Sequence, residues 1–135
     1  MGLSGTDIVR TFWACLQARH WTRARALLHD DATMHWASSG EHFDNADAII
    51  RVQVIYPEGW SIKVISVDEH VSGDVHSLVE VTQGAMQFFA NSRFRLEAGS
   101  IRAITEYWAT FEAPPDWRST ETIGAYRRDT PEATK

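Results

Sequence analysis

A chain of 135 residues with 44% hydrophobic and 23% charged residues has the length of one domain and a folded balance, which excludes disorder as a description of the whole. Thirteen basic against eighteen acidic residues leave a formal net charge of -5, and the densest basic spots are only the pairs Arg23/Arg25 and Arg127/Arg128, which argues against nucleic acid and anionic membrane surfaces as partners. The single cysteine, Cys15, rules out an internal disulfide and Cys-rich metal sites, no segment approaches the ~20 apolar residues that span a bilayer, and a cytoplasmic protein is expected.

Residues 7–17 carry Ile8, Val9, Phe12, Trp13 and Leu16 on one helical stripe, with Ser4 or Thr6 available as cap and Asp7 suited to the helix dipole. A second helix is predicted from Thr22 to Leu28 and is ended by His29-Asp30-Asp31. Ala32 to Trp36 reads as a short strand and Ala37 to Glu41 as a turn. Asp44 or Asn45 caps a third helix containing Ala46, Ile49, Ile50 and Val54, stopped at Tyr56-Pro57-Glu58-Gly59. Beyond Gly59 the period changes to two. Strands are expected over 61–69, with a bulge near Ile65-Ser66, and over 75–84, 86–97 and 101–112. Helices gathered at the N-terminal end and long antiparallel strands after them make an α+β domain, with a strongly curved sheet packed against three helices.

Three stretches resemble one superfamily. They are Ile8 to Leu16 with Ala26 to Met34, the helix entered through Asn45-Ala46-Asp47-Ala48-Ile49-Ile50, and the run Phe94 to Trp108 with its glycine turn and its acidic-aromatic ending. On these residues the chain is similar to the nuclear-transport-factor-2-like (NTF2-like) superfamily, in its SnoaL-like polyketide cyclase and ketosteroid isomerase branch. The resemblance implies a cone-shaped, mixed but mostly antiparallel sheet of the cystatin-like type, one domain over residues 1–112, and a small-molecule pocket. Residues 113–135 form a tail, its first part docked through Trp117, Ile123 and Tyr126 and its end frayed. The resemblance also removes one activity. The positions that match the ketosteroid isomerase tyrosine and its two aspartates hold Phe12, Trp36 and Ser92, which lack the phenol and the carboxylates of that chemistry.

Glu106 shares a strand face with Ile104 and Trp108, and the resemblance turns that face toward the pocket; the alternation alone equally allows Ala103, Thr105, Tyr107 and Ala109 to point inward. A carboxyl beside tryptophan in an apolar cup has a raised pKa and can carry a proton. His42, in the segment expected at the pocket mouth, is a second general-base candidate. The expected walls are Phe12, Trp13, Met34, Trp36, Phe94, Ile104 and Trp108, suited to an apolar or aromatic molecule. For strand 75–84 either face can line the pocket, which leaves Glu80 as another possible acid. No HxH or HExxH spacing, glycine-rich phosphate loop or nucleophile elbow occurs, so no metal or cofactor is expected. The reading is a cofactor-independent lyase, isomerase or cyclase with Glu106 as proton carrier. The alternative is a non-catalytic ligand-binding or scaffolding domain. The other strand face, with Tyr107, Arg93, Arg95 and Thr105, suits a homodimer joined through outer sheet faces.

Overall fold

In the computed structural model, which describes residues 2–129, helix α1 (Gly5–Gln17) begins where the Ser4 hydroxyl accepts from the Asp7 N–H at 3.2 Å. Its apolar stripe, Ile8, Val9, Phe12, Trp13, Cys15 and Leu16, is buried throughout. A short helix α2 (Trp21–Ala26) follows and passes into strand β1 (Leu28–Trp36). After a tight turn, the three-residue strand β2 (Glu41–Phe43) pairs antiparallel with β1. Helix α3 (Ala46–Ile55) starts at Asn45, whose side chain accepts from the Ala48 N–H at 2.8 Å. Strands β3 (Trp60–Glu69), β4 (Val75–Gln83), β5 (Met86–Glu97) and β6 (Ser100–Thr110) then form an antiparallel meander.

The result is one open six-stranded sheet in the order β2-β1-β6-β5-β4-β3, with α1, α2 and α3 at the N-terminal end of the chain. The single parallel pairing, β1 with β6, makes the sheet mixed and brings residues 34–36 beside 104–106. The β5–β6 hairpin closes through Ala98-Gly99, both at positive φ (52° and 80°), the two-residue turn whose twist matches that of the strands it joins. Alternation along β4 buries Val75, Ser77, Val79 and Val81 and sends Glu80 to the opposite face, where it accepts from Gln87 at 2.7 Å. That settles which face of β4 is internal and removes Glu80 as a candidate acid.

Three boundaries differ from the sequence reading. Residues His29-Asp30-Asp31 belong to β1 and do not end a helix. The ladder shifts between Leu28 and Thr33, so this polar segment bulges out of the sheet, and Asp30 and Asp47 both hold Arg25 at 2.9 Å. Residues 41–43 pair as a strand, a segment too short to show periodicity. In the tail, Ser119 and Thr122 form a capping box that starts a one-turn helix, α4 (Thr120–Ile123). The tail does not bury its large side chains on its own chain. Trp117 is 72% and Ile123 51% exposed, while Tyr126 is half-buried and the Arg128 guanidinium lies over the Phe111 ring at 5.5 Å. Residues 130–135, most of the segment expected to fray, lie outside the described residues.

The core joins α1 to the middle of the sheet. Phe12, Trp13 and Phe94 meet edge-on with every pair of ring centroids 6.2 Å apart. The Trp13 indole donates to the buried Ser77 hydroxyl at 3.0 Å, a polar link between α1 and β4. Because both partners are enclosed, Trp13→Phe should destabilise the protein by about 1–3 kcal/mol in denaturant melts. Adding Ser77→Ala should recover part of that loss, since the orphaned hydroxyl is then removed as well.

Candidate active site

The parallel register places Trp36 directly beside Glu106, and the antiparallel register places Ser92 on the other side of it. All three lie on the inner face. Glu106 is only 3% exposed, and its Oε2 accepts from the Trp36 indole Nε1 at 3.0 Å. Loss of hydration raises the Glu106 pKa to about 7, and the effect is opposed by Ser92, Trp36 and Trp108, whose donors favour the charged form. Of these donors only Trp36 is within hydrogen-bond geometry. Ser92 Oγ and Trp108 Nε1 are enclosed without a hydrogen-bond partner among the described residues, and both favour the charged form of Glu106.

A cleft opens over Glu106 where the ends of β1, β4 and β6 meet the start of β3 and the end of α3. Its walls are Trp13, Trp36, Trp60 and Trp108 with Ile62 and Val81, and Gln53 and Tyr56 add polar groups from α3 and its end. The cleft is narrow, with a cavity volume of about 30 Å³. This is narrower than the sequence reading implies, because four of the expected wall residues are used otherwise. Phe12, Met34, Phe94 and Ile104 are each no more than 2% exposed and form the packed layer beneath the cleft. Trp13, Trp36, Glu106 and Trp108 do line it.

His42 is a correction. It pairs with His35 across β1 and β2, and the two rings stack at 4.1 Å with 5° between planes. His35 neighbours Trp36 along β1 and therefore faces the other way, so His42 stands on the sheet face opposite Glu106 and cannot serve the cleft. The antiparallel pairing of β2 with β1 decides this, since it sets His42 opposite His35. No group of three or more His, Cys, Asp or Glu side chains that could hold a metal comes together among the described residues.

Trp60, Ile62, Val81, Gln53 and Tyr56 were not among the expected site residues. The alternation Trp60-Ile62-Val64 and the stripe Ile49-Gln53-Tyr56 carried signals for most of them. Trp60 is held firmly. The Arg19 guanidinium lies 3.3 Å from the centre of its indole ring, donates to the Trp60 carbonyl at 2.7 Å, and forks onto Glu58 at 2.9 and 3.0 Å. Arg19 itself sits at φ 60°, a left-handed conformation that a non-glycine residue adopts only when its surroundings hold it there.

The fold is that of NTF2-like proteins. A provisionally assigned ketosteroid isomerase from Kribbella flavida superposes with a TM-score of 0.79 at 18% identity, over 97% of this chain and 95% of that one. An NTF2-like protein of unknown function from Burkholderia xenovorans gives 0.74 at 13% identity, over 90% and 94% of the two chains. An LEH-like epoxide hydrolase from M. tuberculosis gives 0.64 at 16% identity, over 78% and 82%. At such identities the likeness is one of fold. No family model and no curated protein matches the sequence.

The buried carboxyl has a measurable consequence for stability. In the unfolded chain Glu106 titrates near 4.5, and in the folded protein near 7. Below the lower value both states hold the proton and nothing is lost; between about 4.5 and 7 the unfolded chain releases it while the folded protein keeps it, so stability falls across that window and levels off above 7. The difference amounts to roughly 3 kcal/mol. Urea unfolding at pH 5 and pH 8 should therefore show native stability falling with pH, and Glu106→Gln should remove most of that fall.

Proposed function

We propose that the cleft takes a small apolar or aromatic molecule and that Glu106 moves a proton on it, as a cofactor-independent isomerase, lyase or cyclase does. The observation that carries this reading is a buried carboxyl, hydrogen-bonded by Trp36, whose pKa of about 7 lets it gain and lose a proton near neutral pH. In the first step the Glu106 carboxylate takes a proton from an acidic carbon of the substrate, and the electron pair of that C–H bond moves into the substrate. In the second, the carboxylic acid returns the proton to a carbon of the product. Ser92 and Trp108 would hold the charged form of Glu106 between turnovers. The indole walls favour a flat apolar body by area and by edge contact.

The cleft is narrow, so a ring would enter it with some adjustment of the walls. Gln53 and Tyr56 are half-buried at the end of α3, and next to them Val54 and Ile55 are 39% and 60% exposed. These exposed side chains make this end of the helix the side from which a molecule would enter. Among the fold's named neighbours, provisionally assigned isomerases and polyketide cyclases are consistent with this class of chemistry. The rival reading, a binding or scaffolding domain, is less well supported, since such a domain has no need of a neutral-pKa carboxyl with a hydrogen-bond partner at its floor.

The test follows deuterium. A panel of small carbon acids, cyclic and aryl ketones and nitroalkanes, is incubated in D2O with the protein and read by proton NMR. Exchange catalysed by the wild type should increase with pH through about 7, and Glu106→Gln should lower it by a factor on the order of 100 or more. Binding without exchange would favour the rival reading.

The same proposal extends to assembly. The outer sheet face carries Tyr107, 57% exposed, with half-buried Leu78 and Phe89 near it and Arg93 paired to Asp74 at 2.8 Å. We place a second copy of the chain on that face, with the exposed Trp117 segment packing on the partner. Light scattering at tens of micromolar should then give twice the 15.3 kDa chain mass, and Tyr107→Glu should return the chain mass. A monomer in the wild type would exclude this arrangement.

A further inference from the structure

We infer that Phe43 is a positioning residue: the three-residue strand β2 sets its ring edge-on against the Trp36 indole and so keeps the Trp36 N–H on Glu106. This rests on the reading of Glu106 as the group that moves a proton. Trp36 is the last residue of β1 and is half-buried. The chain turns back at once, and the Ser39 and Gly40 N–H groups donate to the Trp36 carbonyl at 3.2 and 2.9 Å. That turn fixes the Trp36 backbone, whereas the side-chain torsions are decided by what packs on the ring.

Two rings of the inner face do so. Trp108 meets the indole with centroids 6.0 Å apart and 76° between planes, and Phe43 meets it closer, at 4.8 Å and 66°. The β1–β2 register explains the reach of Phe43. It pairs with Met34 while Glu41 pairs with Trp36, so Phe43 shares the inner face with both and lies diagonal to the indole. A strand of three residues at a sheet edge opens easily on its ladder alone. Here β2 is gripped from both faces, by Phe43 against Trp36 on the inner one and by His42 stacked on His35 at 4.1 Å on the outer one. Removing either ring contact frees β2 to move, and with it the wall that stops the indole from turning away.

Glu106 would register that turn. The groups that favour its charged form are Ser92, Trp36 and Trp108, none of them charged, and the Trp36 Nε1 lies 3.0 Å from Oε2. Tyr56 is the other titratable side chain lining the cleft. A donor that leaves the carboxylate makes the proton harder to remove, so the direction of the effect is upward.

The experiment titrates Glu106 through its side-chain 13C carboxyl signal in the full chain, from about pH 4 to about pH 9, in wild type, Trp36→Phe, Phe43→Ala and Phe43→Leu. Trp36→Phe, which removes the donor, should raise the midpoint by about one pH unit. Phe43→Ala should raise it by about half as much or more, and Phe43→Leu, which keeps apolar bulk against the indole, by less than Phe43→Ala. A role in stability alone would lower the melting temperature of Phe43→Ala and leave the midpoint where it is. Should Phe43→Ala fail to fold, His42→Ala takes its place, since His42 is exposed on the face away from the cleft and its loss should move the midpoint the same way. A wild-type midpoint in Phe43→Ala, or in His42→Ala as its substitute, overturns the inference. A midpoint that moves in a protein that exchanges no carbon acid upholds the positioning of Trp36 and sinks the reading of Glu106 as a catalyst.

Discussion

Burying a carboxyl group is costly unless a proton or hydrogen-bond donors come with it, and the residues around Glu106 divide those two duties. Trp36 donates directly, at 3.0 Å, because the parallel β1–β6 register sets the two side chains side by side. Ser92 and Trp108 stand close without completing a bond. Ser92, Trp36 and Trp108 all favour the charged form, yet the loss of hydration outweighs them, so the proton stays until about pH 7. The burial of Glu106 is thus what gives this end of the sheet its chemical character.

The rest of the structure keeps that arrangement in place. Beneath the cleft, Phe12, Trp13 and Phe94 lock α1 onto the sheet, and Met34 and Ile104 fill the floor between β1 and β6. On the far wall, Arg19 accepts a left-handed backbone and in return ties the end of α1, Glu58 and Trp60 together. Strain of this kind is stable only where several contacts oppose its relaxation. On the side formed by the end of α3, Val52 and Tyr56 pack against the core and the Gln83 amide donates to the Pro57 and Glu58 carbonyls at 2.7 and 3.2 Å.

A shared fold with proteins of 13–18% identity carries the frame of the site and not its chemistry. Here the positions that resemble those of ketosteroid isomerase hold Phe12, Trp36 and Ser92, and the buried carboxyl stands on β6, with Trp36 and Ser92 on either side of it.

Much of this was legible from local pattern. Helical stripes, the Asn45 cap, the change of period after Gly59 and the bulge near Ile65 all follow from forces between residues close in sequence, and each appears where periodicity puts it. So does the α+β class. What sequence could not decide were matters of pairing between distant segments. Alternation alone left Glu106 free to face either way and could not choose between the two faces of β4. It placed His42 at a mouth, whereas three residues of β2 pairing turn it onto the outer face beside His35. It counted Phe12, Met34, Phe94 and Ile104 as pocket walls, but which rings line a space depends on how they interlock, and these four are packed into the core. A side chain's face is a property of its own strand's period; its exposure, its partners and its pKa belong to the strands and helices that meet it, and only the tertiary fold brings those together.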